Sequence, residues 1–167
     1  LVVRQRRASV SKPEPAATCA MEHWLLTTLH RQGVRVPASL LVDASGKILR
    51  KPYRVMELVA GTTELPAETL DRTLPKMATW LADLHALDVE AHGLAELPPR
   101  EDPIAGALHF LPSTREVAAA RAGLAEWGPL RGARALLHGD FWPGNILWRD
   151  GEIVAVSERH VDAVRRL

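Results

Sequence analysis

Cysteine is nearly absent from the 167-residue chain, which carries Cys19 alone. One thiol closes no internal disulfide, and no second cysteine stands at metal-ligand spacing, so a disulfide framework is excluded and a reducing compartment is expected. Long apolar runs are missing too. No stretch approaches the ~20 residues that cross a bilayer, and the first residues carry charges where a secretion signal has an apolar core. A cytoplasmic protein with no membrane partner is therefore expected. Nor does one sign of charge dominate. The 21 Lys and Arg stand against 20 Asp and Glu, for a net charge of +1. The arginines are scattered among acids, without the continuous cationic face that nucleic acids require, so no nucleic-acid partner is expected.

What remains is ordinary globular material, 47% apolar and 25% charged. The length suits one domain with a sizeable core, or two small lobes sharing a cleft, and rules out a large multidomain enzyme.

Leu1-Val2-Val3 predicts a short strand, and Arg6 to Pro15 a loop. Met21, Trp24, Leu25 and Leu29 fall on one helical face, with Glu22 beside it and Gly33 as the stop. Leu40-Leu41-Val42 and Lys47-Ile48-Leu49 flank Asp43-Ala44-Ser45-Gly46, which predicts a β-hairpin. Arg54 to Val59 reads as a half-buried strand leaving its sheet at Gly61, the natural hinge. Leu70, Leu74, Met77, Leu81 and Leu84 then mark an amphipathic helix, in which Pro75 is either a first-turn residue or a kink. After a proline-rich loop from Gly93 to Pro103, the capping box Ser113-Thr114-Arg115-Glu116 opens another helix through Trp127. Ala135 to Leu137 is apolar. Ile146 to Trp148 and Ile153 to Val156 flank Asp150-Gly151, the signature of a tight hairpin.

Between those last apolar stretches lies His138-Gly139-Asp140-Phe141-Trp142-Pro143-Gly144-Asn145. Proline and two glycines keep this segment from continuing as helix, so it forms a loop able to present polar side chains. Phosphoryl transfer needs a carboxylate to accept the attacking hydroxyl's proton and a neutral oxygen for the metal that screens the phosphates. Asp140 and Asn145 supply these two groups at the spacing of the H-x-D-x-x-x-x-N catalytic loop, where the histidine fixes the loop by packing. The alternative is a turn held by side-chain to backbone bonds, which Asp and Asn commonly make.

The run from His138 to Trp148 closely resembles the catalytic loop of the aminoglycoside phosphotransferase family, relatives of choline kinase. Leu84-His85-Ala86-Leu87 resembles the helix that precedes that loop, and Val55 to Gly61 the strand and hinge that hold adenine. The resemblance implies an α+β, two-lobed protein-kinase-like fold in a single phosphotransferase domain. Residues 1–60 would be the small β-rich N-lobe portion and residues 61–167 a partial, mainly helical C-lobe carrying the catalytic-loop hairpin, incomplete at both ends. It implies ATP and Mg²⁺ as cofactors and a small-molecule hydroxyl as acceptor. Asp140 would act in catalysis, with His138 fixing the loop. Glu57 and Val59 would contact the nucleotide, Glu22 would anchor the phosphate-binding Arg4, and Asn145 and Glu158 would hold the metal. Two departures stand out. The glycine-rich strand pair that covers phosphates would precede Arg4, where almost no residues stand, and Glu158 replaces the usual metal-binding Asp. A non-catalytic remnant that binds nucleotide or a partner is thus the rival reading.

Overall fold

A computed structural model describes residues 1–5, 15–65, 70–97, 114–115, 117–126, 134–157 and 165–166. The expected loop before Pro15, the ends of the Ser113 capping box and Glu158 lie outside the described residues. The chain forms two compact units, residues 1–82 with 140–161, and residues 83–139 with 162–167.

In the first unit, β1 (Val2–Gln5) and α1 (Pro15–Arg31) come first. Pro15 suits a first helical turn, because the backbone N–H it lacks would have had no partner there. The helix ends in a Schellman motif: Gly33 takes φ 76, its N–H reaches the His30 carbonyl at 3.0 Å, and the Val34 N–H reaches that of Leu29 at 3.1 Å. Glycine fits because it adopts the left-handed region without a Cβ penalty. The buried face differs from the expected stripe. Cys19, Glu22, Leu25, Leu26, Thr28 and Leu29 are inside, and Trp24 is 36% exposed. A charged side chain enters a helix's buried face only when its charge is matched, and Glu22 has such a match in Arg54.

Strands β2 (Ser39–Asp43) and β3 (Tyr53–Met56) complete an antiparallel sheet of order β1-β3-β2, with Arg4 opposite Arg54 and Val42 opposite Arg54 on the other side. The hairpin expected across Asp43 to Gly46 does not form. Residues 47–49 are turn, and Ile48 is 73% exposed. The cause is Asp43, whose carboxylate accepts the backbone N–H groups of Ser45 at 2.9 Å, Gly46 at 3.2 Å and Ile48 at 3.4 Å. Those contacts wind the chain into a capped loop where a strand would extend. Its return is tight, since a Cβ on Gly46 would lie 3.1 Å from the Lys51 backbone.

Helix α2 (Leu70–His85) carries Pro75 inside it. Its buried positions are Thr73, Trp80 and Leu84, whereas Leu74, expected in the apolar stripe, is 54% exposed. Strands β5 (Ile146–Arg149) and β6 (Glu152–Val156) form the expected hairpin. Asp150 at φ 53 and Gly151 at φ 75 supply the two positive angles of a type I′ turn. Two ties fix this hairpin. Thr62 and Trp148 exchange backbone bonds of 2.9 and 2.8 Å, and the Val156 N–H reaches the Arg35 carbonyl at 2.8 Å. Leu25, Leu26, Leu29, Tyr53, Met56, Ile146, Trp148 and Ile153 are buried in this unit. Each large aliphatic side chain so buried contributes about 1.5–3 kcal/mol.

The second unit holds α3 (Ala118–Glu126) and a short pair of β4 (Leu136–Leu137) with β7 (Arg165–Arg166). Among its described residues Leu84, Val89, Leu94, Leu97 and Leu136 are the buried apolar ones. Among the described residues no helix is long and apolar enough to cross a membrane.

Candidate active site

Gly139, at φ 82, turns the chain sharply just ahead of Asp140. A single 3-10 turn, Pro143–Asn145, then delivers Asn145 to the start of β5. Proline favours such a start because its φ is already set near the helical value. Phe141 anchors the middle of the loop by stacking on Trp80 of α2, ring centroids 5.2 Å apart and planes 7° from parallel. Trp142 does not enter the core. It is 50% exposed, and its ring covers Gly144 so closely that a side chain there would collide with it.

Asn145 is wholly buried and holds the loop together. Its Nδ2 donates to the Asp140 carbonyl and to Asp140 Oδ2, both at 2.8 Å, and its own carbonyl accepts the Ser157 N–H at 2.7 Å. Two acceptors on one side fix which end of the amide faces Asp140. Asn145 Oδ1 is left buried, with no hydrogen-bond partner among the described residues. An orphaned buried acceptor costs about 1–3 kcal/mol, a cost that a ligand bound at that oxygen would offset. A hard divalent cation is the group such an oxygen suits. No cluster of three or more His, Cys, Asp or Glu that could hold a metal occurs among the described residues. A cation here would draw on Asn145 and Asp140, with further ligands from a bound anion or from residues outside those described.

The structure thus brings Asp140 and Asn145 into direct contact. His138 is half-buried two residues upstream of Asp140. Glu57 and Val59 line one cavity of about 470 Å³, together with His30, Arg35, Arg149 and Val154. Glu57 is held to Ala38 from both sides: its N–H reaches the Ala38 carbonyl at 2.9 Å, and its carboxylate accepts the Ala38 N–H at 3.3 Å.

Glu22 makes an ion pair of 2.7 Å with Arg54, and both side chains are 1% exposed. Sequence reasoning singled out Arg4 on the neighbouring strand and passed over Arg54. The signal was a charged residue inside a strand otherwise reading as half-buried, since a charge is seldom buried without a partner. Arg4 itself is half-buried and sits opposite Arg54 in the ladder.

The model of the phosphotransferase enzyme family matches residues 1–156. No curated protein matches the chain. Among solved structures, a candidate aminoglycoside phosphotransferase from Ralstonia eutropha is similar at a TM-score of 0.64 and 19% identity, over 87% of this chain and 50% of that one. A macrolide 2′-phosphotransferase from Brachybacterium faecium is similar at 0.62 and 23% identity, over 93% and 56%. A thermostable mutant of an aminoglycoside phosphotransferase scores 0.52 at 17% identity, over 83% and 56%. The chain spans about half the length of these structures. Their likeness establishes the α+β, kinase-like fold, present in incomplete form.

Proposed function

We propose, for a chain that belongs to the phosphotransferase enzyme family, a role in ATP-dependent phosphoryl transfer to a hydroxyl of a small molecule. The observation that carries this reading is the Asp140–Asn145 couple, with its amide nitrogen committed and its buried amide oxygen left over. Mg²⁺ bound with the nucleotide would neutralise charge on the phosphates. Asn145 Oδ1 would hold it, with Glu158 as the second ligand by its place in the family motif.

The chain's own residues perform the remaining work. Asn145 Nδ2 fixes the Asp140 carboxylate through Oδ2. That carboxylate orients the acceptor hydroxyl and takes its proton, while His138 steadies the approach to the loop. Glu57 and Val59 face the base of the nucleotide, and Arg4 faces its phosphates on a strand beside the Glu22–Arg54 pair. Positioning and charge neutralisation provide most of the rate in this chemistry. Residues 1–60 would act as the smaller lobe and residues 61–167 as the larger, in a cytoplasmic enzyme. The similar structures include macrolide and aminoglycoside enzymes, so hydroxyl-rich antibiotics are the acceptors to screen first.

The test is Mg²⁺-dependent ATP turnover across such a panel. Asp140→Ala is expected to lower the rate by about 10²–10⁴, the usual contribution of a general base. Turnover that survives this substitution sinks the assignment. Glu158 supports a second reading, in which the chain binds nucleotide without transferring phosphate. One methylene longer than the Asp of the family motif, its carboxylate would fit the near-ideal octahedral geometry of Mg²⁺ less well. Mg-ATP binding with no turnover on any acceptor selects that reading.

A further inference from the structure

Arg54 sits on β3, the central strand of the three-stranded sheet, and is among the largest fully buried side chains in the molecule. Its partner Glu22 projects from α1, and the pair joins helix to sheet at 2.7 Å with both groups 1% exposed. Removing two charges from water is costly, and an apolar pair of similar volume is often as stable or more so. The pair's contribution to stability is therefore a weak reason for its presence. A better reason lies in the register. Arg4 is directly opposite Arg54 across the β1–β3 ladder, and directly opposed residues share a face with Cβ atoms roughly 5 Å apart. Two guanidinium groups that close repel unless a carboxylate stands between their charges. The Glu22 carboxylate, 2.7 Å from Arg54, offsets part of that repulsion, and Arg4, Arg54 and Glu22 together carry a formal +1.

We infer that Arg54 is a positioning residue for nucleotide phosphates: by locking Glu22 against the sheet, it sets the guanidinium of its cross-strand neighbour Arg4 toward an anionic phosphate chain. This rests on the phosphotransferase reading above and deepens it. The residue that fixes α1 lies on the central strand, so α1 is seated by the fold itself, independently of whether phosphate is bound.

The test compares binding of Mg-ATP with binding of adenosine, which lacks phosphates, each followed by thermal shift on the whole chain. Arg54→Met alone removes the buried ion-pair partner of Glu22 and is expected to lower the melting midpoint sharply. The double variant Glu22→Met, Arg54→Met removes one charge of each sign and is expected to recover the midpoint. Its Mg-ATP affinity should nevertheless fall at least tenfold, with adenosine affinity within twofold of the unsubstituted chain. Arg54→Lys, which keeps the charge but loses the planar fork, should weaken Mg-ATP by a smaller factor. Unchanged Mg-ATP affinity in the double variant, or in Arg54→Lys should the double variant not fold, overturns the inference and leaves the proposed function standing. An equal loss for adenosine overturns it as well. No response of the unsubstituted chain to Mg-ATP overturns both.

Discussion

Asp43 and Asp140 each lead a turn in the first unit, and their carboxylates are engaged in different ways. Asp43 accepts three backbone N–H groups and the Ser45 hydroxyl, so its turn closes on itself with local donors. Asp140 instead accepts a side-chain amide from five residues away, and that amide's oxygen remains buried without a hydrogen-bond partner among the described residues. Both patterns begin from the same residue type and the same preference for turns. One turn uses its polar groups locally. The other leaves one buried acceptor without a hydrogen-bond partner among the described residues, and the proposed catalytic role of the loop turns on that acceptor.

Of the substitutions that set the two turns apart, the largest effect on nucleotide binding is expected from removing the unpartnered oxygen. Asn145→Leu keeps the heavy-atom branching of the side chain, deletes the orphaned oxygen and also deletes the two bonds to Asp140. Loss of bonds at about 1 kcal/mol each opposes relief of an unsatisfied acceptor at about 1–3 kcal/mol, so the unliganded melting midpoint should move by only a few degrees. Mg²⁺-dependent ATP affinity should fall tenfold or more, which is about 1.4 kcal/mol or above. Isothermal titration with and without Mg²⁺ measures it. Equal affinities for the substituted and unsubstituted chains would make Asp140–Asn145 the same kind of turn as Asp43.

A smaller effect is expected one residue earlier. Gly144→Ala places a Cβ against the Trp142 ring, which is 50% exposed, so ring and loop must move apart to admit it. The expected loss of stability is about 1 kcal/mol, within the ordinary range for a small overpacking change. Since the loop must shift to admit the methyl, Mg-ATP affinity should drop along with it. Thermal and ligand titrations of the same variant decide this. A stability loss with affinity intact would show that the backbone between Pro143 and Asn145 is not part of what holds the unpartnered oxygen in place.

How much of this was legible beforehand depended on how far each cause lies along the chain. The 146–156 hairpin was legible because Asp150-Gly151 dictates its turn within four residues, and the end of α1 because Gly33 dictates its own φ. The couple of Asp140 with Asn145 was legible as a spacing, though nothing in the spacing reveals which oxygen lacks a partner. The face of α1 was misread, because Glu22 turns inward to a partner on β3, thirty-two residues later. Periodicity treats any glutamate as solvent-seeking and cannot see that match. The supposed hairpin at Asp43 failed for a local reason of another kind. Asp-x-Ser-Gly letters serve equally as a two-strand connector or as an Asx-capped loop, and side-chain capping won over strand pairing. In α2 the buried position is Thr73 where the leucine pattern pointed to Leu74, since a stripe of leucines defines a face only to within one residue.

The smallest effect belongs to Asp43, and it tests the other arm of the comparison. The Ser45 hydroxyl, together with the N–H groups of Ile48, Ser45 and Gly46, holds the Asp43 carboxyl below the usual carboxylate range, while burial opposes the shift. Because the folded value lies below the unfolded one, the turn's contribution is present above the ordinary carboxylate pKa and is lost as pH falls through the depressed value. Asp43→Ala should therefore lower the melting midpoint slightly near neutrality. The gap from the unsubstituted chain should narrow as pH drops below about 4, the ordinary aspartate value, and close under stronger acid. Mg-ATP affinity should not change at any pH where the chain is folded, since this carboxylate's hydrogen bonds stay within its own loop. A gap that persists in acid would mean the turn is held by something other than the ionised carboxylate. An altered Mg-ATP response would mean that a self-contained turn still reaches the nucleotide, and the distinction drawn between the two aspartates would then rest on Asn145 alone.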